Sequence, residues 1–234
     1  MASLEHNICR IKAEIKEAAE RSGRRYEDIS IVAVTKNVSK GLIQSAVDSG
    51  IRIVGENRVQ EARDKKDFIE GEVKWHLIGH LQKNKVKMAV RLFSMIQSVD
   101  SIDLIKEIDK RARKINEVKD VLIQINIGRE DTKYGIDPDN VESFIRDASQ
   151  YEYTRIKGLM AIAPFDKNPE NVRPYFKKMN QIYTDLTNMS LNNVEMKYLS
   201  MGMTNDFIVA IEEGSNMVRI GTGIFGPRTG HQIL

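Results

Sequence analysis

The stretch ISIVAVTK, residues 29–36, is a short run of apolar and mainly β-branched side chains that ends in a lysine. Such a run is typical of a strand buried on both faces, as in a parallel sheet. A helix is predicted directly after it, because Ser39 can cap a helix and Gly50 can end one. Lys36 is therefore expected at the carboxyl end of a buried strand, where (β/α) proteins place their chemistry.

The lysine at the end of this strand has two interpretations. An amine held at that position and partly removed from water loses its proton more easily, and it can then condense with an aldehyde. Alternatively, Lys36 simply follows the strand into solvent. The strand alone favours the second interpretation, and the rest of the chain reverses that preference.

Further strand and helix patterns alternate along the chain. Strands are predicted over residues 51–57, 73–79, 95–99, 121–127, 156–162, 196–200 and 217–222. Apolar residues three and four positions apart predict helices between them, and an additional amphipathic helix over residues 3–22 is expected to cover the bottom of the fold. Eight such units within 234 residues predict one α/β domain over residues 1–234, a (β/α)8 TIM barrel with an extra N-terminal helix. A doubly wound open sheet is the competing fold.

The composition excludes several classes of protein. There are 36 basic and 33 acidic residues, well interspersed, which does not indicate a nucleic-acid partner. Cys9 is the only cysteine, so no internal disulfide can form, as is usual in a reducing cytosol. No apolar run approaches the roughly 18 residues of a membrane span, and the four histidines are too scattered for a recognisable metal site. We expect a cytoplasmic protein that is monomeric and binds neither membrane nor nucleic acid.

Most of the predicted strands end in polar residues or glycine. In a closed barrel these ends converge on one face and form a polar pocket that contains a lysine. They are Lys36, Glu56, Asn57, Gly79, His80, Ser98, Asn126, Gly128, Ser200, Gly221 and Thr222.

The loops after the seventh and eighth predicted strands indicate an anion site. Phosphate sites of barrels are often built there, where glycines let backbone N–H groups approach and where Ser200 and Thr222 could donate hydroxyls. Ordinary tight turns are the alternative. Arg219 shares strand parity with Gly221, and an arginine facing the barrel mouth needs an acceptor. A phosphate, the ring nitrogen of a pyridine cofactor or the carboxylate of Glu56 could each supply one.

Five segments of the chain, taken in order, resemble one known family. They are AVTK at 33–36, GENRVQE at 55–61, WHLIGHLQKNK at 75–85, LSMGM at 199–203 and VRIGT at 218–222. These segments are similar to those of the pyridoxal phosphate homeostasis proteins (the YggS/PROSC group), single-domain relatives of the alanine racemase barrel. The resemblance runs from about residue 6 to Arg228.

The resemblance implies a cofactor and the residues that bind it. It implies pyridoxal 5′-phosphate (PLP) bound as a Schiff base to Lys36, with Arg219 facing the pyridine nitrogen. The same likeness assigns further residues to the pocket wall and to the phosphate. Asn57 and His76 would line the pocket, whereas Ser200, Gly221, Thr222 and the loop around Met201 and Gly202 would hold the phosphate. Taken alone, His76 is better interpreted as a packed strand residue than as a base.

The resemblance also implies a function without robust catalysis. An arginine at the ring nitrogen disfavours its protonation, and an unprotonated pyridine is a poorer electron sink. Racemases with this barrel obtain a second base from an extra domain, and this chain ends at Leu234, directly after the eighth unit. We therefore expect a cofactor carrier that acts in intracellular PLP homeostasis and contacts PLP-dependent apo-enzymes transiently. A weak PLP-dependent amino-acid racemase is the first alternative, and a class I aldolase-like barrel using Lys36 directly is the second.

Overall fold

Eight parallel strands form a closed barrel within residues 3–227, the part of the chain that this computed structural model describes. Residues 1–2 and 228–234, which include Arg228 and Leu234, lie outside the described part. The strands are β1 Ser30–Val34, β2 Ile53–Glu56, β3 Lys74–Leu77, β4 Met95–Val99, β5 Lys119–Ile125, β6 Thr154–Ala161, β7 Val194–Met203 and β8 Met217–Ile220. Each pairs with the next in the chain, and β8 pairs with β1 through Ser30–Met217 and Val32–Arg219. The barrel prediction is confirmed, and the open sheet is wrong.

Helices lie between successive strands, as predicted. In the described residues they are α1 Leu4–Arg21, α2 Lys40–Asp48, α3 Val59–Lys66, α4 Val86–Leu92, α5 Ile102–Arg113, α6 Val141–Ala148, α7 Arg173–Thr187, α8 Phe207–Glu212 and α9 Thr222–Phe225. Ser39 caps α2, where its hydroxyl accepts a hydrogen bond from the Leu42 N–H. None of the helices between residues 3 and 227 has the length and apolar character needed to cross a membrane.

The additional helix α1 lies along the side of the barrel instead of covering its bottom. Its buried stripe includes Ile8, Ile11 and Ile15, and it packs against α2, α8 and α9. The reason lies after β8, where α9 has only four residues and leaves a gap in the outer helical layer. The extra N-terminal helix occupies that gap.

Three helices were not predicted, namely α3, α4 and α9, and of these the α3 sequence carries little apolar periodicity. The α3 segment reads VQEARDKK, and the residues that it buries are Val59, Ala62 and Lys65.

Strand β7 has ten residues, twice the predicted span, and its first half alternates between half-buried and exposed positions. The single cysteine, Cys9, is exposed on α1.

The interior of the barrel changes from apolar to polar along its axis. An apolar layer includes Val32, Leu122, Met160 and Met217. Arg219 stands two residues after Met217 on β8 and therefore faces the same interior, nearer the carboxyl ends of the strands. A second and larger apolar core lies between the sheet and the helices. The cavity described next opens at the polar end of the interior, where Ile78 of the apolar layer also borders it.

Candidate functional site

A cavity of about 390 Å³ opens at the carboxyl ends of the strands, a volume in the range of small-molecule sites. Its wall is built by loops that follow β1, β2, β3, β5, β6, β7 and β8, together with a few strand residues. The lining residues are Val34, Lys36, Asn57, Ile78, Lys133, Ile162, Ala163, Pro164, Phe165, Asp166, Met203, Thr204, Asn205, Asp206, Arg219, Gly221 and Thr222. Five of the nine residues predicted to bind a cofactor are among them, namely Lys36, Asn57, Arg219, Gly221 and Thr222.

Lys36 is half-buried on the cavity wall, two residues beyond the last residue of β1. Its side-chain nitrogen forms no hydrogen bond or ion pair with any residue between 3 and 227, a span that holds many paired lysines. The amine therefore faces the cavity without a partner in the described structure. A lysine that only extends into bulk water would not line this cavity.

Arg219 lies at the floor of the cavity and is almost fully buried. Its Nη1 donates to the Ser200 hydroxyl at 2.7 Å, and its Nη2 donates to the carbonyl of Ala161 at 2.7 Å. Burial lowers the pKa of Arg219 to about 10, partly opposed by the carboxylate of Asp206, so the guanidinium stays charged at neutral pH. Glu56, one of the acceptors considered above, binds Lys65 instead.

A chain of buried hydrogen bonds supports this arginine from below. The Ser200 hydroxyl accepts from Arg219 and donates to Gln97 Oε1 at 2.7 Å. Gln97 Nε2 in turn donates to His76 Nδ1 at 2.9 Å, since an amide nitrogen is only a donor. Burial, assisted by Lys74, lowers the pKa of His76 to about 3, so the imidazole is neutral and can accept that bond.

Four predicted cofactor residues lie outside the cavity lining. His76 and Ser200 lie in the barrel interior, where they belong to the chain that supports Arg219. Met201 is fully buried in the core between sheet and helices. Gly202 has φ +91°, and a Cβ there would meet the Cβ of Ala210 at 2.5 Å, so this glycine allows α8 to pack closely. Their direct contact with a cofactor stays a prediction.

Thr204, which the sequence analysis did not single out, lies between β7 and α8 on the cavity wall. Its Oγ1 accepts the backbone N–H groups of both Gly221 and Gly223, each at 3.3 Å. Two amides from the start of α9 therefore point at one oxygen position beside the cavity. The signal in the sequence was a hydroxyl residue directly after the glycine turn at position 202.

Three further lining residues were also not predicted. Lys133 comes from the loop after β5, where its amine pairs with Glu130. Phe165, from the loop after β6, is 77% exposed at the mouth. Burial raises the pKa of Asp206, against the hydrogen bond from the Met203 N–H and the charge of Arg219. A wall with an amine that is unpaired within the described part of the chain, a fixed guanidinium and converging amides can hold a small anion that carries a carbonyl group.

Comparison with known proteins identifies the family. Residues 2–229 match the family described as alanine racemase, N-terminal domain. The pyridoxal phosphate homeostasis protein of Aquifex aeolicus (strain VF5) is 41% identical over 222 residues, which cover 94% of this chain and 96% of that protein. The structure of PipY of Synechococcus elongatus PCC7942 with PLP bound has a TM-score of 0.79 at 32% identity and covers 91% of this chain and 100% of PipY.

Similarity in fold extends to alanine racemase. The enzyme of Clostridium difficile 630 superimposes with a TM-score of 0.72 at 16% identity, over 97% of this chain and 60% of the racemase. This likeness concerns the barrel alone. The match over nearly the whole chain places the protein in the alanine racemase N-terminal domain family, and within it the chain belongs to the pyridoxal phosphate homeostasis proteins.

Proposed function

We propose that this protein binds PLP through Lys36 and serves as a carrier in PLP homeostasis. One observation carries the proposal. The cavity combines the amine of Lys36, which has no partner among residues 3–227, with the buried guanidinium of Arg219, and the amides of Gly221 and Gly223 converge beside it. The names of its relatives and the PLP-bound structure of PipY support the same function.

The residues of the cavity match the chemical groups of PLP. PLP offers an aldehyde, an aromatic ring with a nitrogen, and a phosphate. The Thr204 hydroxyl accepts two backbone N–H groups, which leaves its own hydrogen to be donated to an anionic oxygen beside it. Gly221 and Thr222 belong to this wall, and Asn57 lines the cavity on the side of β2. These residues would hold the cofactor.

The chemistry of the site divides between the cofactor and the chain. When bound, PLP supplies an aldehyde whose carbon forms a C=N bond with a primary amine, with loss of one water and no change in oxidation state. Lys36 provides that amine from a half-buried position on the wall. Arg219 keeps a positive charge on the floor, which opposes protonation of any basic group that settles against it.

We infer that the protein performs no robust catalysis. Moving an α-proton from one face of a ligand to the other needs two proton-handling groups and a strong electron sink. Lys36 is one such group, and Arg219 weakens the electron sink. Lys133, the other lining amine, is paired with Glu130. An amino-acid racemase-like activity is the second candidate, and the presence of Lys133 on the wall favours it.

The proposal includes where and with whom the carrier acts. We propose one PLP-binding domain over residues 1–234, acting as a monomer in the cytoplasm and releasing PLP to apo-enzymes during transient contact. The lone exposed Cys9 supports a reducing compartment. Measuring activation of a PLP-dependent apo-enzyme by the loaded protein, against an equal concentration of free PLP, tests the delivery.

Binding is tested by reduction with borohydride. The PLP-saturated protein should be yellow, and after reduction peptide mass spectrometry should find the label on Lys36. Lys36→Ala should lose both the absorbance and the label, whereas Lys178→Ala, on the exposed face of α7, should keep them. A colourless wild-type protein under saturating PLP would refute the proposal, and sustained α-proton exchange with amino acids would replace the carrier by the racemase.

A further inference from the structure

A buried cluster of charged side chains lies directly beside the cavity without lining it. Lys65 of α3 is 7% exposed, and Glu56 at the end of β2 is fully buried. Lys65 Nζ donates to Glu56 Oε1 at 2.8 Å and to Glu61 Oε1 at 2.6 Å. None of these three side chains belongs to the cavity wall.

The same cluster binds the backbone on both sides of Lys36. Before it, Lys65 Nζ donates to the carbonyl of Thr35 at 2.7 Å. After it, the N–H of Asn37 donates to Glu61 Oε1 at 2.6 Å. Asn37 has φ +57°, the left-handed region, so the chain turns sharply at this point. Both peptide groups that flank Lys36 are thus held by one set of charges.

Glu56 connects the cluster to β1 as well. Its Oε1 accepts the Thr35 hydroxyl at 2.7 Å, whereas its Oε2 is buried without a hydrogen-bond partner in the described residues. Burial raises the pKa of Glu56 even though Lys65 and Thr35 oppose the shift. Buried ion pairs of this kind are often no more stabilising than apolar residues of the same volume. A contribution to folding stability is therefore a weak explanation for the presence of these buried charges.

We propose that Lys65, Glu56 and Glu61 are positioning residues for Lys36: they hold the backbone of residues 35–37 so that the Lys36 amine points into the cavity. The inference rests on the proposed PLP site. With the cluster intact, the amine meets an incoming aldehyde from one direction. Without it, the turn at Asn37 relaxes and the long lysine side chain explores solvent. Misplacement of about 1 Å by distant substitutions can slow a reaction by about 100-fold.

Glu61→Ala is the first test, because it removes the acceptor of the Asn37 N–H and leaves the Lys65–Glu56 pair in place. We expect the rate of PLP attachment, followed by stopped-flow absorbance, to fall about 10- to 100-fold. Glu61→Gln keeps an oxygen for the Asn37 N–H and should recover most of that rate. The matched control is Glu107→Ala on α5, where a carboxylate of similar exposure, 21% against 20%, pairs with Arg111 of the same helix.

Pyridoxine 5′-phosphate carries the phosphate and the ring but no aldehyde. Its affinity therefore reports whether the pocket is intact, independently of where the Lys36 amine points. Its affinity for Glu61→Ala should stay within about twofold of wild type. An equal loss for both ligands, or an attachment rate equal to wild type, would overturn the positioning role. If Glu61→Ala does not fold, the neutral double variant Glu56→Gln/Lys65→Met tests the same expectation. Failure of the wild type to bind PLP would instead remove the proposed function.

Discussion

Replacing Ser200 by alanine tests whether this residue supports Arg219 from within the barrel. The change removes a hydroxyl that accepts from Arg219 at 2.7 Å and donates to Gln97 at 2.7 Å. A buried hydrogen bond to a charged group contributes about 1.5–3 kcal/mol and a neutral one about 1 kcal/mol. The expected loss in free energy of unfolding is therefore about 2.5–4 kcal/mol, or about 5–15 °C in Tm for a chain of this length.

The assay is urea unfolding of the protein without cofactor, where phosphate binding plays no part. Ser45→Ala is the control, because its exposed hydroxyl donates within α2 to the carbonyl of Gly41. That substitution should change stability by less than about 0.5 kcal/mol. If Ser200→Ala lowered the free energy of unfolding by less than about 1 kcal/mol, no more than the control, the reasoning would be refuted. Ser200 would then matter only when a ligand is bound.

Three further predictions concern the Thr204 hydroxyl on the cavity wall, the packing of Gly202 against α8, and the buried imidazole of His76. Thr204→Val should weaken pyridoxine 5′-phosphate binding by about tenfold, measured by calorimetry, because it removes a hydroxyl that is held by two amides and can donate its own hydrogen to the phosphate; equal affinity would contradict this. Gly202→Ala should destabilise the fold by about 1–3 kcal/mol through positive φ and the contact with Ala210, whereas Gly41→Ala, with open space around it, should be neutral or stabilising. Because burial lowers the pKa of His76 to about 3 in the folded protein, against about 6.5 in the unfolded chain, the free energy of unfolding should decrease as the pH falls below 6.5, by roughly 3 kcal/mol at pH 4.5; a His76→Gln variant with the same pH slope would disprove it.

The barrel was predictable because each strand is a local apolar run and each of the longer helices carries its own apolar stripe. The strand at 95–99 was predicted with the boundaries that the structure shows. Helix α3 was missed because its buried face includes Lys65, whose burial depends on Glu56 and Glu61. A buried charge with partners on another element leaves no periodic apolar signal.

The site was predictable only where a residue lies among the last residues of a strand pattern or just beyond the carboxyl end of a strand. Lys36 and Arg219 were found in that way, and both lie on the cavity. Gln97 was missed because a glutamine in an apolar strand indicates nothing until its partners from two other strands are known. Ser200 and Gly202 lie in a segment expected to hold phosphate. Strand parity for Ser200 and a positive φ for Gly202 place them outside the cavity lining.

The contact between α1 and α9 links the two ends of the described chain. Asn7 Nδ2 donates to the carbonyl of Ile224 at 3.0 Å, across a sequence separation of 217 residues. During synthesis at about 5–20 residues per second, the first helix waits roughly 10–40 seconds for the last unit to leave the ribosome. Until then the apolar face of α1, with Ile8 and Ile11, lacks α8 and α9 and is exposed to chaperones and to other nascent chains.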